Sequence, residues 1–367
     1  MRNTYRNLLA GTAVFSLTVA VMTASPSVQA ADFSGKTIQI VVPFGEGSGT
    51  NRYARLMQPY FTKYLPGNPT ILIVNKPGGS GIKGANWYQK NAKPNGLTVF
   101  TGSTSVLNSY VFGGKKAKYK LLTWQPILVS PNGTQFYTQR KNGVTGKDIK
   151  KDILALQKGT WNSGGKNPTS AELRNFLAYD YLGMKNVTAV FGMGTGKRRK
   201  ATIRGELHLT HDNTVAFLGK TSKYVKKGLL SHYMTLGVIN ADGAVVRDPA
   251  FPNIPTVADA YKAVYGKDPS GPQWKAIWHL TNIAVMASKS LWLPAGTPDD
   301  IQNTYISVVK KMLKDPAFKK SGGKAFSAYQ QSFGKDAKKI VKNAVDINKK
   351  TYNWIKDWVK TKYNHSI

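Results

Sequence analysis

The sequence predicts an α/β protein of two domains, each a doubly wound sheet flanked by helices. Three observations carry that reading. Short apolar runs of strand character alternate with stretches of helical periodicity from residue 37 to residue 313, the pattern of βαβ units. The first such run, ending at Val42, opens directly into a glycine-rich loop and a helical pattern. The chain has 367 residues, and the 337 that remain after an N-terminal leader exceed what one core commonly organises.

The leader comes first. Arg2 and Arg6 make a basic start, and Leu8 to Met22 is mostly apolar but short for a bilayer span. Val28-Gln29-Ala30 offers a small-residue cleavage site before Ala31, so residues 1–30 read as a secretory signal peptide. No cysteine lies there to carry a lipid anchor. No later run of eighteen apolar residues follows, which predicts a soluble mature chain. The chain contains no cysteine, so an exported form relies on a large core rather than disulfides, and thiol catalysis and thiolate metal sites are excluded.

Strands are expected at Thr37–Val42, Thr70–Val74, Leu97–Thr101, Pro126–Val129, Gly159–Asn162, Val187–Phe191, Leu207–His211, Met234–Ile239 and Ile283–Ala287. Helices are expected between them, including Ile82–Asn91, Gly146–Gln157, Ser170–Leu182, Thr214–Lys227, Thr256–Tyr265 and Pro298–Leu313. The first helix carries Tyr53, Leu56, Met57, Tyr60, Phe61 and Tyr64 at helical spacing. Ser48 or Thr50 can cap it, and Pro59 predicts a kink or an early stop. Such alternation implies parallel sheets whose ligands lie beyond the carboxyl ends of the strands. At the end, Asp336 to Tyr363 reads as one long amphipathic helix with a lysine-rich outer face, packed back on the first domain.

The charge is extreme. The chain carries 52 Lys and Arg against 18 Asp and Glu, a net charge of +34. Removing Arg2 and Arg6 with the leader leaves +32. One reading is a diffuse basic surface that steers anions, the other a polyanion binder. The cations are scattered along the chain, and the densest cluster is only Lys197-Arg198-Arg199-Lys200. Scatter and the export signal favour the first reading, with no nucleic-acid partner.

Four loops could carry chemistry. Pro43 to Asn51 joins a strand to a helix whose free N–H groups and dipole can hold an anion without a charged side chain. Gly102-Ser103-Thr104-Ser105 repeats that arrangement after the third strand. Asn162 to Ser170 and Gly192-Met193-Gly194-Thr195-Gly196 do so twice more. Together they predict a cleft lined with neutral donors and suited to a carboxylate or similar small anion.

Enzymatic readings fail on the residues. Ser80 and Ser163 each lack one glycine of a nucleophile elbow, and Ser48 lacks both. Gly192 to Lys197 is one residue short of a phosphate loop, and Arg198 replaces the required hydroxyl. No G-x-G-x-x-G stands near Gly45. His208 and His211, three apart on a strand, face opposite sides and do not suit one metal. Five histidines and few acids leave little acid–base capacity, and no cofactor is called for.

These loops resemble those of the tripartite tricarboxylate transporter substrate-binding proteins, the TctC or Bug family. The family pattern V-P-F-x-P-G-G-x-x-D-x-x-A-R is matched by Val42-Pro43-Phe44-Gly45-Glu46-Gly47-Ser48-Gly49-Thr50-Asn51-Arg52-Tyr53-Ala54-Arg55. N-x-P-G-A-G-G-x-x-G is matched from Asn75 to Gly84, and P-D-G-Y-T by Pro94-Asn95-Gly96-Leu97-Thr98. P-x-V-P-T-x-x-E-x-G is echoed from Pro252 to Ala260, and P-A-G-T-P-x-x-I from Pro294 to Ile301. The matches keep their order from about residue 36 to 320.

The resemblance implies a two-lobed periplasmic-binding-protein clamshell of the Venus-flytrap kind (type II) that captures a carboxylate and delivers it to integral membrane transporter subunits. Carried over residue by residue, it nominates Gly47, Ser48, Thr50, Asn51, Ser103, Thr104 and Ser105 from one lobe. Ser163, Gly164, Gly165, Thr169 and Gly194 would come from the other, and Asp212-Asn213 resembles the family's F-D-N. The alternative for Asp212 is a helix N-cap. Glu46 and Asn51 stand where the family has Pro and Asp, and losing an acid at 51 suits a more anionic ligand. Phe191 to Gly196 departs from the family's Y-K-G-G-x-P. Trp161 or Tyr53 could stack on an aromatic acid, or simply pack.

The expected division is residues 31–131 with 240–367 as lobe 1 and 132–239 as lobe 2, joined by two hinge crossings. The expected protein is a monomer that binds a di- or tricarboxylate or an aromatic acid in the periplasm. Two other readings are a basic polyanion- or surface-binding protein and a ligand sensor feeding a membrane signalling partner.

Overall fold

The computed structural model describes residues 31–367, so the expected export signal lies outside the described residues. The strands are β1 (Thr37–Val42), β2 (Thr70–Asn75), β3 (Thr98–Ser103), β4 (Gln125–Ser130), β5 (Thr134–Gln139), β6 (Trp161–Gly164), β7 (Val187–Val190), β8 (Leu209–Asn213), β9 (Leu230–Thr235), β10 (Val238–Ile239), β11 (Val245–Val246), β12 (Lys289–Leu293) and β13 (Ser332–Phe333). The helices are α1 (Gly49–Tyr64), α2 (Ile82–Asn91), α3 (Thr104–Phe112), α4 (Ile149–Lys158), α5 (Leu173–Tyr181), α6 (Thr195–Arg204), α7 (Thr214–Ala216), α8 (Ser222–Lys226), α9 (Val257–Tyr265), α10 (Gly271–Thr281), α11 (Asp299–Lys314), α12 (Pro316–Phe318), α13 (Lys324–Ser327), α14 (Gly334–Val345) and α15 (Lys349–Tyr363).

Two sheets organise two lobes. The first has the order β13-β4-β12-β3-β1-β2 and the second β7-β6-β8-β5-β9, with β10 and β11 forming a separate hairpin. β1 is parallel to both β2 and β3, and Ile38, Ile40, Val41 and Val42 are fully buried because helices cover both faces. The sheets are not wholly parallel, however. β12 runs antiparallel to β3 and β4, and β5 runs antiparallel to β8 and β9. Residues 131–133 carry the chain directly from β4 of the first sheet to β5 of the second.

Local signals hold well at α1. Ser48 Oγ accepts from the Asn51 N–H at 3.1 Å, and Tyr53, Met57 and Phe61 are buried one turn apart. The helix does not stop at Pro59, because buried Tyr60 and Phe61 anchor the turn that follows. Elsewhere the structure differs from expectation. Asn282–Met286 is a π-helical turn, and the strand begins only at Lys289, since a short apolar run serves a buried helix as well as a strand. The strand expected at Met234–Ile239 is instead β9, ended by Gly237 at φ +77°.

The expected terminal helix is two. It breaks after Val345, and Asn348 starts α15 by accepting from the Thr351 N–H at 2.9 Å. α14 packs on β4, but α15 turns to the other lobe, where Phe176 stacks edge-on with Tyr363 and Asp180 pairs with Lys362 at 3.1 Å. Beyond residue 240, α9 packs on α4 and α10 on α5, and the π-helical turn Asn282–Met286 then leads into β12.

Candidate functional site

The strand ends of both sheets converge on one small chamber. Ser48, Gly49 and Thr50 open α1 beyond β1, and Ser103, Thr104 and Ser105 pass from β3 into α3. His211 and Asn213 close β8, Lys166 follows β6, and Lys289 begins β12, which reaches the same edge because it is antiparallel. Glu172 and Arg174 come from the start of α5. The chamber has a volume of about 50 Å³. A wider cavity of about 530 Å³ adjoins it, sharing Phe44, Ser48, Lys166 and Thr195 and lined further by Gly47, Pro77 to Ser80, Asn167 and Gly192 to Lys197.

The lobes meet across this chamber. Asn108 Nδ2 donates to the Ser170 carbonyl at 3.0 Å, the Ala171 N–H donates to Ser105 Oγ at 3.3 Å, and Asn167 Nδ2 donates to Ser80 Oγ at 2.9 Å. A Cβ at Gly49 would lie 2.7 Å from Asn213 Nδ2, so only glycine lets the start of α1 approach the end of β8 this closely.

The expectation of a cleft lined with neutral donors is corrected by the charges inside. Lys166 Nζ and Arg198 Nη2 lie 2.6 and 3.0 Å from the same Glu172 oxygen, and Ser170 Oγ donates to the other at 2.6 Å. Burial pushes the Glu172 carboxyl up, but Lys166 and Arg198 outweigh it and hold the group well below the usual carboxylate range. Arg174 is buried, its Nη1 donates to the Ala171 carbonyl at 2.6 Å, and its Nε has no hydrogen-bond partner among the described residues. Burial lowers its guanidinium to about 10.

Lys289 is 5% exposed, and among the described residues its ammonium donates only to Thr50 Oγ1, at 3.2 Å. Burial, with Arg174 and Lys166 adding repulsion, brings it down to about 7. Burial also keeps His211 neutral, its Nδ1 beside Asn175 and Arg198.

The nominated residues separate into groups. Ser48, Thr50, Ser103, Thr104 and Ser105 line the chamber, and Gly47 and Gly194 line the wider cavity. Asn51 turns toward the sheet, donating to Asn75 Oδ1 and accepting from Arg55. Gly164 and Gly165 pass behind the chamber, where a Cβ at Gly164 would strike Arg198 and Leu207 at 2.8 Å. Ser163 is buried in β6, and Thr169 bonds to Asn167. Asp212 faces away from the chamber into a bidentate pair with Arg199 at 2.6 and 2.7 Å. The N-cap of α7 is Asn213, not Asp212. His208 accepts from the Asn162 N–H beside Trp161, apart from His211.

Lys166, Glu172, Arg174, His211 and Lys289 were outside the nominated set. One signal was available for two of them: a single cation in an apolar stretch, Arg174 in Leu173-Arg174-Asn175-Phe176-Leu177 and Lys289 before Ser290-Leu291-Trp292-Leu293.

No protein-family model matches the chain. It is 25% identical over 307 residues to a UPF0065 protein of Bordetella pertussis, covering 82% of this chain and 84% of that protein. The periplasmic binding protein BugD superposes with a TM-score of 0.63 at 17% identity, over 90% of this chain and 98% of BugD. MatC from Rhodopseudomonas palustris, solved with malate, gives 0.63 at 20% identity over 88% and 98% of the two chains. An R. palustris protein solved with adipate gives 0.66 at 18% identity over 91% and 99%. The chain is thus similar in sequence to a UPF0065 protein over most of its length, and its fold is that of the Bug- and TctC-type periplasmic binding proteins.

Proposed function

We propose that this protein is an exported, periplasmic solute-binding protein that captures a small carboxylate between its lobes. It delivers that ligand to a tripartite tricarboxylate-type membrane transporter and acts by binding rather than catalysis. The observation that carries the reading is the interlobe chamber, where Ser48, Thr50, Ser103 and Ser105 surround Lys289 and Arg174 at the strand ends of both sheets. Malate and adipate in two proteins of the same fold support the ligand class. Among the described residues no helix is long and apolar enough to cross a membrane, which fits a free carrier.

The lobe division offered with this reading is residues 31–131 and 282–345 in one lobe, and 132–281 with α15 in the other. Micromolar capture requires roughly 8 kcal/mol. A few charge-assisted bonds at about 1.5–3 kcal/mol each supply that once the lobes close. A thermal-shift panel of mono-, di- and tricarboxylates, aromatic acids, amino acids and polyphosphate, at low and high salt, tests it. Ligand at 100 times Kd stabilises by about 2.7 kcal/mol. A salt-resistant shift with one carboxylate class is the expected result. Shifts confined to polyphosphate and abolished by salt would overturn it.

A further inference from the structure

We propose that Lys289 and Arg174 make this site selective for ligands whose buried end carries two negative charges, and that a monocarboxylate is discriminated against. The proposal rests on the interlobe-binding reading above and narrows its substrate class.

Charge counting leads there. Four cations surround the chamber: Lys166, Arg174, Arg198 and Lys289. One anion, Glu172, faces them, and Lys166 and Arg198 already share it. That group retains one positive charge, while Arg174 and Lys289 have no acidic partner within salt-bridge distance among the described residues. His211 adds no charge. A single carboxylate would leave most of this charge uncompensated on buried side chains, where unpaired charge is expensive. Two negative charges leave far less.

The donors point the same way. Arg174 Nε is buried and unpartnered at the chamber wall, and the Lys289 ammonium uses one of its three donors, on Thr50. Thr50 and Ser48 add donors at the start of α1, as Ser105 does at α3.

Size completes the argument. A volume of about 50 Å³ suits a compact anionic end of a ligand rather than a long chain. The rest of the ligand extends past Lys166 and Thr195 into the wider cavity. Two chemistries satisfy these terms: one doubly charged tetrahedral oxyanion, or two carboxylates separated by one or two carbons with the second at the Lys166 rim.

Isothermal titration at pH 7 separates the outcomes. The probes are propionate, malonate, succinate and sulfate, on wild type, Lys289→Met and Arg174→Met. The expected result is that at least one dianion binds wild type tenfold or more tighter than propionate. Each variant then loses at least tenfold for that dianion and under threefold for propionate. Succinate or malonate against sulfate tells the two chemistries apart. Wild type that binds propionate as tightly as every dianion overturns the selectivity and leaves the carboxylate-binding reading standing. Wild type that binds none of the probes and no other carboxylate overturns both. Should a variant fail to fold, the wild-type preference decides alone.

Discussion

Tyr329 Oη donates to Asp248 Oδ1 at 2.7 Å at the point where the chain crosses between the sheets. The same oxygen accepts from the Gly133 N–H at 3.1 Å and sits 2.7 Å from Thr214 Oγ1, while Gln135 Nε2 donates to Asp248 Oδ2 at 2.8 Å. Gly133 and Gln135 flank the start of β5, and Tyr329 lies just before β13 of the other sheet. A Cβ at Gly133 would fall 1.8 Å from Asp248 Oδ2, so the crossing is built around a glycine. The network ties one crossing between the sheets through polar side chains.

Tyr329→Phe leaves Asp248 without one of its donors and the Gly133 N–H without its acceptor. The expected cost is about 1–3 kcal/mol in urea unfolding. Burial already pushes the Asp248 carboxyl up, and the bonds from Tyr329, Ala250 and Gln135 hold it back. Losing one bond raises it further. The folded state then holds its proton to higher pH, so stability is lost as pH rises through the folded value. The deficit should be larger at pH 8 than at pH 4, and an equal deficit would show that Asp248 does not report the bond.

Asn108 ties α3 to the Ser170 carbonyl across the chamber. Asn108→Ala removes an interlobe clasp and none of the chamber's charged groups. Small-angle scattering of the ligand-free variant should show a larger radius of gyration. Ligand affinity should fall about tenfold, which is roughly 1.4 kcal/mol. Unchanged scattering together with unchanged affinity would remove the clasp from the closing mechanism.

Arg199 and Asp212 form a buried bidentate pair, and Tyr137 and Thr221 also donate to Asp212. Arg199→Met strands that carboxylate and should cost about 3–5 kcal/mol. Below its melting temperature the variant should bind ligand within a few-fold of wild type, because the pair faces away from the chamber. A large loss of affinity in folded protein would instead place Asp212 in ligand binding.

The parts of this site that were legible in the sequence are those whose signals are local. The loop from Val42 to Asn51 announces itself by an apolar run, glycines and a capping serine, and Ser103 to Ser105 do so again. β5 escaped notice because Thr134, Gln135 and Thr138 are polar yet fully buried, Gln135 bonding to Thr214 and Asp248 and Thr138 to the His208 carbonyl, all far along the chain. Lys289 and Arg174 offered only the weak signal of a single cation in an apolar stretch. In a chain with 52 cations that signal is easily lost, and only the tertiary packing decides which two lose their water. The antiparallel β12 and the broken terminal helix likewise depend on which lobe the chain returns to, which no window of sequence contains.

Lys289 provides the last prediction, one that needs no ligand. Its ammonium is brought down to about 7 from an ordinary value of 10.5. Below pH 7 it is charged in both folded and unfolded chains, and the folded state bears the full cost of burying it. Between about 7 and 10.5 the unfolded chain binds more protons, so stability rises with pH across that window. Lys289→Met keeps a similar volume and removes the charge. It should therefore be more stable than wild type at pH 6, by about 1–4 kcal/mol, as buried ions replaced by apolar groups often are. The advantage should shrink steadily from pH 7 to pH 10. Buried tyrosines that ionise near the upper end do so in both proteins and cancel in the difference. A difference that stays flat with pH would mean that Lys289 keeps its ordinary affinity for protons, and that the chamber is wetter than its packing indicates.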